Sequence, residues 1–408
     1  TTLFRSLFSA VAFSNQLNAV STQLLEKMIL KYRYNYDSIR AGYICNIIEE
    51  KENADWSQDI IDILNDIAIN HFNSENGKPN VTSDKNKEMK SFDMLRSNAL
   101  NCVRGTVARA IGNLLWSNKE QYAQFKETVS KLCNDMNPAV RLANLFALNP
   151  IYNIDKDWAT EKILYTFERD YRMAGYSGAR QLFVLMYPKF RERVLKIILK
   201  CFFSDDKELI KMGAYSLTEM YIRNGEFEDE IFDIENMNEI QVKSILEMAL
   251  NFFNKYKFVD LVKSLINKYI SSKFDLEFPL SRIFYDNFID LERDRDLVIE
   301  IMKSNMSTRM THYFVEYLEK NSKSIIEYNE IIISISYTII QNYVEDSKHS
   351  WGIENELSKL IIELYDETSK LPDKNLKCSS QQCLNIWDLM FEKRIGSARV
   401  LSQQILDR

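Results

Sequence analysis

Apolar residues recur along this chain at intervals of three and four, the period of a helix with one buried face. Leu24, Leu25, Met28, Ile29 and Tyr32 form one such stripe, and Ile60, Ile61, Ile63, Leu64 and Ile67 form another. Leu3, Leu7 and Val11 repeat at the same spacing at the start of the chain. Further on, Val242, Ile245, Leu246, Ala249 and Phe253 make a stripe, as do Leu261, Val262, Leu265, Ile266 and Tyr269. The run Ile331–Ile340 is β-branched and partly alternating, the one stretch with strand character. Its extension over 325–344 is too long for an ordinary strand and has no evident partner, so a buried helix is expected there. Asn73 to Lys90 breaks the periodicity with Gly77, Pro79 and many Ser, Asn and Lys, and reads as a long loop.

From Ser97 onward the pattern repeats. Cys102–Ile111 is followed by a related unit at Asn137–Leu148, a weaker copy at Tyr176–Leu182, and another at Asp206–Leu217. The Val/Ile–Arg/Lys anchors begin at 103, 140 and 210, separated by 37 and 70 residues, or one and two periods. A second amphipathic stretch follows each anchor, at 119–133, 158–168 and 190–203. A helix pair recurring at this period is the mark of an α-solenoid, and an apolar–basic pair after a helix-starting Asn-Pro or Asp is the pattern of HEAT repeats. Small residues at fixed offsets (Gly105, Ala108, Ala143, Ala147, Gly213) let neighbouring helices approach. The fold expected is all-α, a solenoid of HEAT-like helix pairs. Its parts are an N-terminal helical segment (1–72), a polar loop (73–92), HEAT-like repeats (93–225), and further helical repeats with a C-terminal cap (226–408).

Composition agrees. Only 10 Gly and 6 Pro occur among 408 residues, against roughly 50 at average usage. Folds that need many tight turns and φ > 0 positions are thereby disfavoured. No window of about 18 uncharged apolar residues is present, so no membrane span is expected. Six scattered Cys make no disulfide framework, which points to a reducing, cytoplasmic setting. A net charge of −6 argues against a surface that coats nucleic acid.

Motifs for chemistry are missing. The sequence contains neither Gly-x-x-x-x-Gly-Lys-Ser/Thr nor Gly-x-Gly-x-x-Gly, so no phosphate loop is expected and no cofactor is assigned to the chain. His71, His312 and His349 lie far apart, and Cys378 and Cys383 have no second pair to complete a zinc site. The thiols read as small buried side chains. No catalytic residue and no metal ligand is proposed.

Charges and aromatics supply the candidates. Lys189, Arg193, Lys196 and Lys200 fall at i, i+4, i+7 and i+11, either a solvated outer face or a partner-docking stripe. Glu226–Glu239 holds seven carboxylates and no base, an exposed, mobile inter-helix loop or a dock for a basic partner. Arg104, Arg141 and Lys211 occupy the repeat anchor and are expected to tie one repeat to the turn of the repeat before it. Tyr32, Tyr34 and Tyr36, and Phe252, Phe253, Tyr256 and Phe258, exceed what one core-facing stripe can hide. Tyr256 and Phe258 join the four cations as candidate partner contacts.

One family shares these elements. The run Asn98–Trp116 (NALNCVRGTVARAIGNLLW) resembles the start of the C-terminal HEAT/TPR-like region of bacterial antiviral STAND NTPases, the Avs or AVAST group. Asp135–Arg141 continues its register, as do Leu384–Leu389, Gly396–Arg399 and Leu406–Arg408. The likeness covers about 95–225 and 380–408. It implies a longer parent with an N-terminal effector, often a nuclease, and a central ATPase that would hold ATP and Mg. It further implies that the helical region senses a phage protein, the large terminase subunit or the portal, and that the parent oligomerises on activation. A first residue other than Met, Thr1, fits a fragment of such a parent. The alternative is a helical-repeat scaffold or adaptor with no immune role. Neither reading requires direct contact with nucleic acid.

Overall fold

Several helices of this chain start where a short polar side chain accepts from an otherwise unpaired backbone N–H, among them those preceded by Ser91, Asn137, Asp206, Asn238 and Asp373. In the computed structural model, residues 9–11, 20–31, 38–51, 54–71, 91–320, 325–341, 343, 352–395 and 398 are described. They form helices and connecting turns, with no strand among the described residues. The expected loop at 73–90, the Tyr32–Tyr34–Tyr36 cluster, His349, and the terminal residues 399–408 lie outside the described set. Ser91 and Phe92 belong to a helix rather than to that loop, because the Ser91 side chain accepts from the Met94 N–H and starts it. The chain divides into two units, 1–216 and 217–408.

The first unit contains α1 (Thr22–Leu30), α2 (Ser38–Glu50), α3 (Gln58–Asn70), α4 (Phe92–Asn101), α5 (Val103–Ser117), α6 (Tyr122–Cys133), α7 (Pro138–Tyr152), α8 (Lys156–Arg169) and α9 (Ala179–Phe202). α10 (Lys207–Asn224) begins in it. Helices pack in two rows. α2, α5 and α7 lie side by side in one, and α3, α6 and α8 in the other, with α4 against α5 and α7. Ile111, Phe125, Val140, Leu145 and Ile163 fill the space between the rows and are inaccessible to solvent, each worth about 1.5–3 kcal/mol in burial. Close approach depends on glycine. A Cβ on Gly112 would lie 2.6 Å from the Phe146 carbonyl oxygen, and one on Gly213 would collide with the Phe202 backbone.

The anchors tie the repeats together as expected for Arg104 and Arg141. Arg104 donates to the Ile69 carbonyl (3.3 Å) and pairs with Asp135. Arg141, buried, donates to the Asp135 carbonyl (2.7 Å) and reaches Asp170 at 3.5 Å. Asp135, Asp170 and Asp206 stand at the same turn of successive repeats. Each carboxylate accepts the N–H two residues on, from Asn137 (2.8 Å), Arg172 (3.2 Å) and Glu208 (2.9 Å). Lys211 differs, because its ammonium lies 5.4 Å over the Tyr215 ring on its own helix.

The second unit continues with α11 (Glu239–Leu250), α12 (Val259–Tyr269), α13 (Glu277–Tyr285), α14 (Arg295–Lys303), α15 (Ser307–Lys320), α16 (Asn329–Gln341), α17 (Ser358–Ser369) and α18 (Lys374–Glu392). The pairing blurred in the sequence persists in space: α11, α13 and α15 form one row, and α12, α14, α16 and α18 the other. The β-branched run Ile331–Ile340 is helical, as its length requires, with Ile332, Ile339 and Ile340 inaccessible.

Candidate functional site

The basic stripe is not one helix face. Pro188 has no N–H to continue the ladder and its ring crowds the preceding turn, so the helix breaks at Phe190 (φ −127°, ψ 37°). Lys189 therefore lies on one arm of α9, and Arg193, Lys196 and Lys200 on the other. This corrects the expectation of four aligned cations.

The stripe is also largely engaged with its own neighbour. Lys189 Nζ is 2.8 Å from Asp157 on α8. Arg193 donates through Nε and Nη2 to both carboxylate oxygens of Glu168 (2.6 and 2.8 Å), and through Nη1 to Glu161 at 2.9 Å. The Arg193 hydrogen bonds hold the Glu168 carboxyl below the usual carboxylate range, and the charges of Lys200 and Lys196 act in the same direction. Lys196 and Lys200 are exposed. The geometry makes Lys189 and Arg193 a brace between α8 and α9, leaving Lys196 and Lys200 to face solvent.

Similar bridges run along the α3–α6–α8 row. Gln124 donates to Gln58 Oε1 (3.0 Å), Thr128 to Asn65 Oδ1 (2.6 Å), and Tyr165 to Asn134 Oδ1 (3.0 Å). Tyr122 and Lys126 both donate to Asp155, at 2.8 and 2.9 Å, and Lys126 also lies between the Tyr122 and Trp158 rings. Burial first, then the hydrogen bond to Asp155, pushes the Tyr122 hydroxyl up to about 12. These links join residues of neighbouring repeats. Sequence periodicity shows each partner but not the pairing.

The aromatic candidates separate. Phe252 and Phe253 are core, with the Lys255 ammonium 4.4 Å over the Phe252 ring. Phe258 is half-buried and meets Phe252 edge-on at 5.6 Å, whereas Tyr256 is 99% exposed. Of the two aromatics proposed as contacts, only Tyr256 stands free of the core. Other aromatics not singled out in the sequence are also exposed, Phe203 and Trp116 among them. Phe278 and Tyr285, 69% and 70% exposed, lie on the outer face of α13 while Leu280, Ile283 and Phe284 turn inward. Their separation of seven residues, off the core stripe, is the signal that marks them in the sequence.

Glu226–Glu239 is not a plain loop. It contains a helical turn, Glu228–Phe232, and a tighter one, Ile234–Asn236. Ile231 is fully buried, and its carbonyl accepts a hydrogen bond from the Tyr269 hydroxyl at 2.7 Å. Two apolar side chains, Ile231 and Met237, and one buried hydrogen bond pin the segment beneath its carboxylates.

Cys45, Cys133, Cys201 and Cys383 are buried, Cys102 is partly so, and Cys378 is exposed. Burial raises the Cys133 thiol to about 11 and those of Cys201 and Cys383 to about 12. Among the described residues no group of His, Cys, Asp and Glu is arranged to hold a metal, and no helix is long and apolar enough to cross a membrane.

No protein-family model and no curated protein matches the chain. Among solved structures, the crystal structure of SYS-1 aligns at 11% identity with a TM-score of 0.21, over 98% of this chain and 88% of that one. A likeness that weak carries no argument.

Proposed function

We propose that the chain is a protein-recognition module of stacked helix pairs, serving as the target-sensing part of an anti-phage STAND NTPase. The observation that carries recognition is the presentation of Phe278 and Tyr285 on α13, whose opposite face is packed, together with Tyr256 exposed on the turn before α12. Isolated exposed apolar side chains are common. Here two large rings share one helix face beside Arg282, a composition that concentrates energy at protein interfaces. Cross-repeat bridges such as Arg193–Glu168 support the reading, since a frame held in advance loses less entropy on binding.

The phage-sensing role rests on the resemblance of Asn98–Trp116, Asp135–Arg141 and Leu384–Leu389 to the Avs group. In this proposal the large terminase subunit or the portal is the target in the bacterial cytoplasm. Binding would favour one conformation of an attached ATPase, which would carry ATP, Mg and the capacity to oligomerise. The chain itself performs no catalysis and engages neither membrane nor nucleic acid in this proposal.

Calorimetry of the chain with purified large terminase subunits and portal proteins tests the assignment. Saturable binding to one of them is expected. Binding to neither, or an upstream reading frame without a P-loop ATPase, would leave the adaptor alternative standing instead.

A further inference from the structure

We propose that a cavity in the second unit, between the turn at 232–235 and the end of α12, binds a small zwitterion with an apolar side chain, an aromatic α-amino acid. The site takes a small molecule and stands apart from the macromolecular recognition proposed above.

The cavity exists because two pieces of chain are fastened side by side. The hydroxyl of Tyr269, the last residue of α12, donates to the Ile231 carbonyl at 2.7 Å and lies 3.9 Å from Met237 Sδ, so 231–237 is held against the end of that helix. The space left between them is about 480 Å³, the size of a small-molecule site. Phe232 and Phe274 give it an apolar lining, and Asp233, Glu235, Lys268 and Lys273 give it charge.

Those four charges are not neutralised by one another. Elsewhere in this unit opposite charges meet, as in Lys243–Glu239, Lys263–Asp294 and Arg309–Asp275. At the cavity none of the four is in an ion pair among the described residues. Lys273 lies 5.4 Å over the Phe274 ring, and the Asp233 carboxylate accepts from the Asn236 side-chain amide at 2.8 and 3.0 Å. Ser272 lines the same space, is buried, and has a hydroxyl with no hydrogen-bond partner among the described residues. Buried polar groups are nearly always paired, so an unpaired one marks a place that a ligand group can complete.

Charge balance selects the ligand. Two ammonium groups and two carboxylates line one space, so a simple anion meets two like charges and a simple cation does too. A molecule carrying both signs meets an opposite charge for each. Phe232 and Phe274 are half-buried, and their rings suit an aromatic side chain packed edge-on or offset between the charged groups. An α-amino acid with an aromatic side chain combines all three features.

Fluorine NMR titration of para-fluoro-L-phenylalanine with the full chain tests the site. Saturable one-site binding is expected, with a Kd below about 1 mM. The N-acetyl form lacks the ammonium and the amide form lacks the carboxylate, and each should bind at least about tenfold more weakly. Lys268→Ala/Lys273→Ala should erase the advantage over the amide form, and Asp233→Asn/Glu235→Gln the advantage over the N-acetyl form. All four side chains are exposed, so circular dichroism of both variants should match the parent. Absence of saturable binding, or blocked forms that bind as well as the zwitterion, would overturn the proposal on the parent chain alone. Parent-like affinity in both folded double variants would equally remove the ligand from this cavity.

Discussion

Arg193 grips Glu168 with two parallel hydrogen bonds, so the most favourable cation for a docking stripe instead braces α9 against α8. Planar fork-to-carboxylate geometry of this kind is available to Arg and not to Lys. The pair is about one-third exposed, so solvent screening limits its coupling to about 0.5–1 kcal/mol. A double-mutant cycle of Arg193→Ala and Glu168→Ala, followed by urea unfolding at pH 7, should recover that value. Glu168 has a depressed pKa in the folded chain, so its contribution is present above the ordinary Glu value of about 4.3 and fades as pH falls below it. Coupling undiminished at the lowest pH where the chain stays folded would contradict the assignment.

Lys196 and Lys200 give the complementary test. Both are exposed, so Lys196→Glu/Lys200→Glu should move the urea midpoint little, within about 0.5 kcal/mol. If phage-protein capture also persists in this variant, Lys196 and Lys200 do not belong to the binding surface.

Packing of α5 on α7 depends on the missing side chain at Gly112. A methyl there lies 2.6 Å from the Phe146 carbonyl oxygen, and backbone cannot swing aside as a side chain can. Gly112→Ala should therefore destabilise by about 1–3 kcal/mol despite its better helix propensity. Ala143→Asp, placing a charge at a 1% exposed position on the same pair, should cost more, about 3–5 kcal/mol. A melting temperature unchanged in both would show that this interface is not closed.

Much of this frame was legible in the residues. Scarce Gly and Pro, three-four periodicity, and the Val103–Arg104 and Val140–Arg141 anchors each carry their meaning locally, since a helix period and an N-terminal Asn137-Pro138 need no knowledge of distant neighbours. What escaped was relational. Asp135 and Asp170 recur as visibly as the basic anchors, but their tie to Arg104 and Arg141 exists only once repeats stack. Pro188 marked the break in α9, yet the spacing of Lys189 and Arg193 imitates an unbroken face. Ile231 fastens a helical turn within an acidic run by its burial, too faint a signal against seven carboxylates. For the aromatics, number was readable and direction was not: Phe252 and Phe253 face inward, while Phe278 and Tyr285 face out.

Thiol reactivity should sort by burial. Cys378 is exposed, whereas Cys45, Cys133, Cys201 and Cys383 are enclosed and their thiols are pushed above the ordinary range. The thiolate is the reactive form, so these four should be slow on both counts. A thiol-disulfide exchange reagent at pH 8 should find one fast group in the native chain, lost in Cys378→Ser. Cys102, half-enclosed and accepting from the Gly105 N–H at 3.3 Å, should follow more slowly. Several fast thiols surviving the substitution would mean the cores open readily.

The strongest acid-side dependence is expected from Asp294. Its side chain is wholly buried, yet Lys263 Nζ lies 2.6 Å from it, Arg293 grips both oxygens at 2.6–2.8 Å, and the Asp290 N–H donates at 2.9 Å. Burial alone would raise its pKa; the bonds from Arg293, Lys263 and Asp290 outweigh that and hold the carboxyl below the ordinary range. A depressed pKa stabilises the fold above the unfolded value of about 3.9, and that stability is lost as pH falls toward the folded value. Asp294→Asn removes the charge but not the two cations, leaving them facing a neutral amide at the turn before α14. The expected cost is about 3 kcal/mol at pH 7, with a flatter stability profile below about pH 4. Urea unfolding of parent and variant across pH 3–7 checks both parts. Equal stabilities at pH 7, or parallel losses on acidification, would show that Asp294 does not hold this turn.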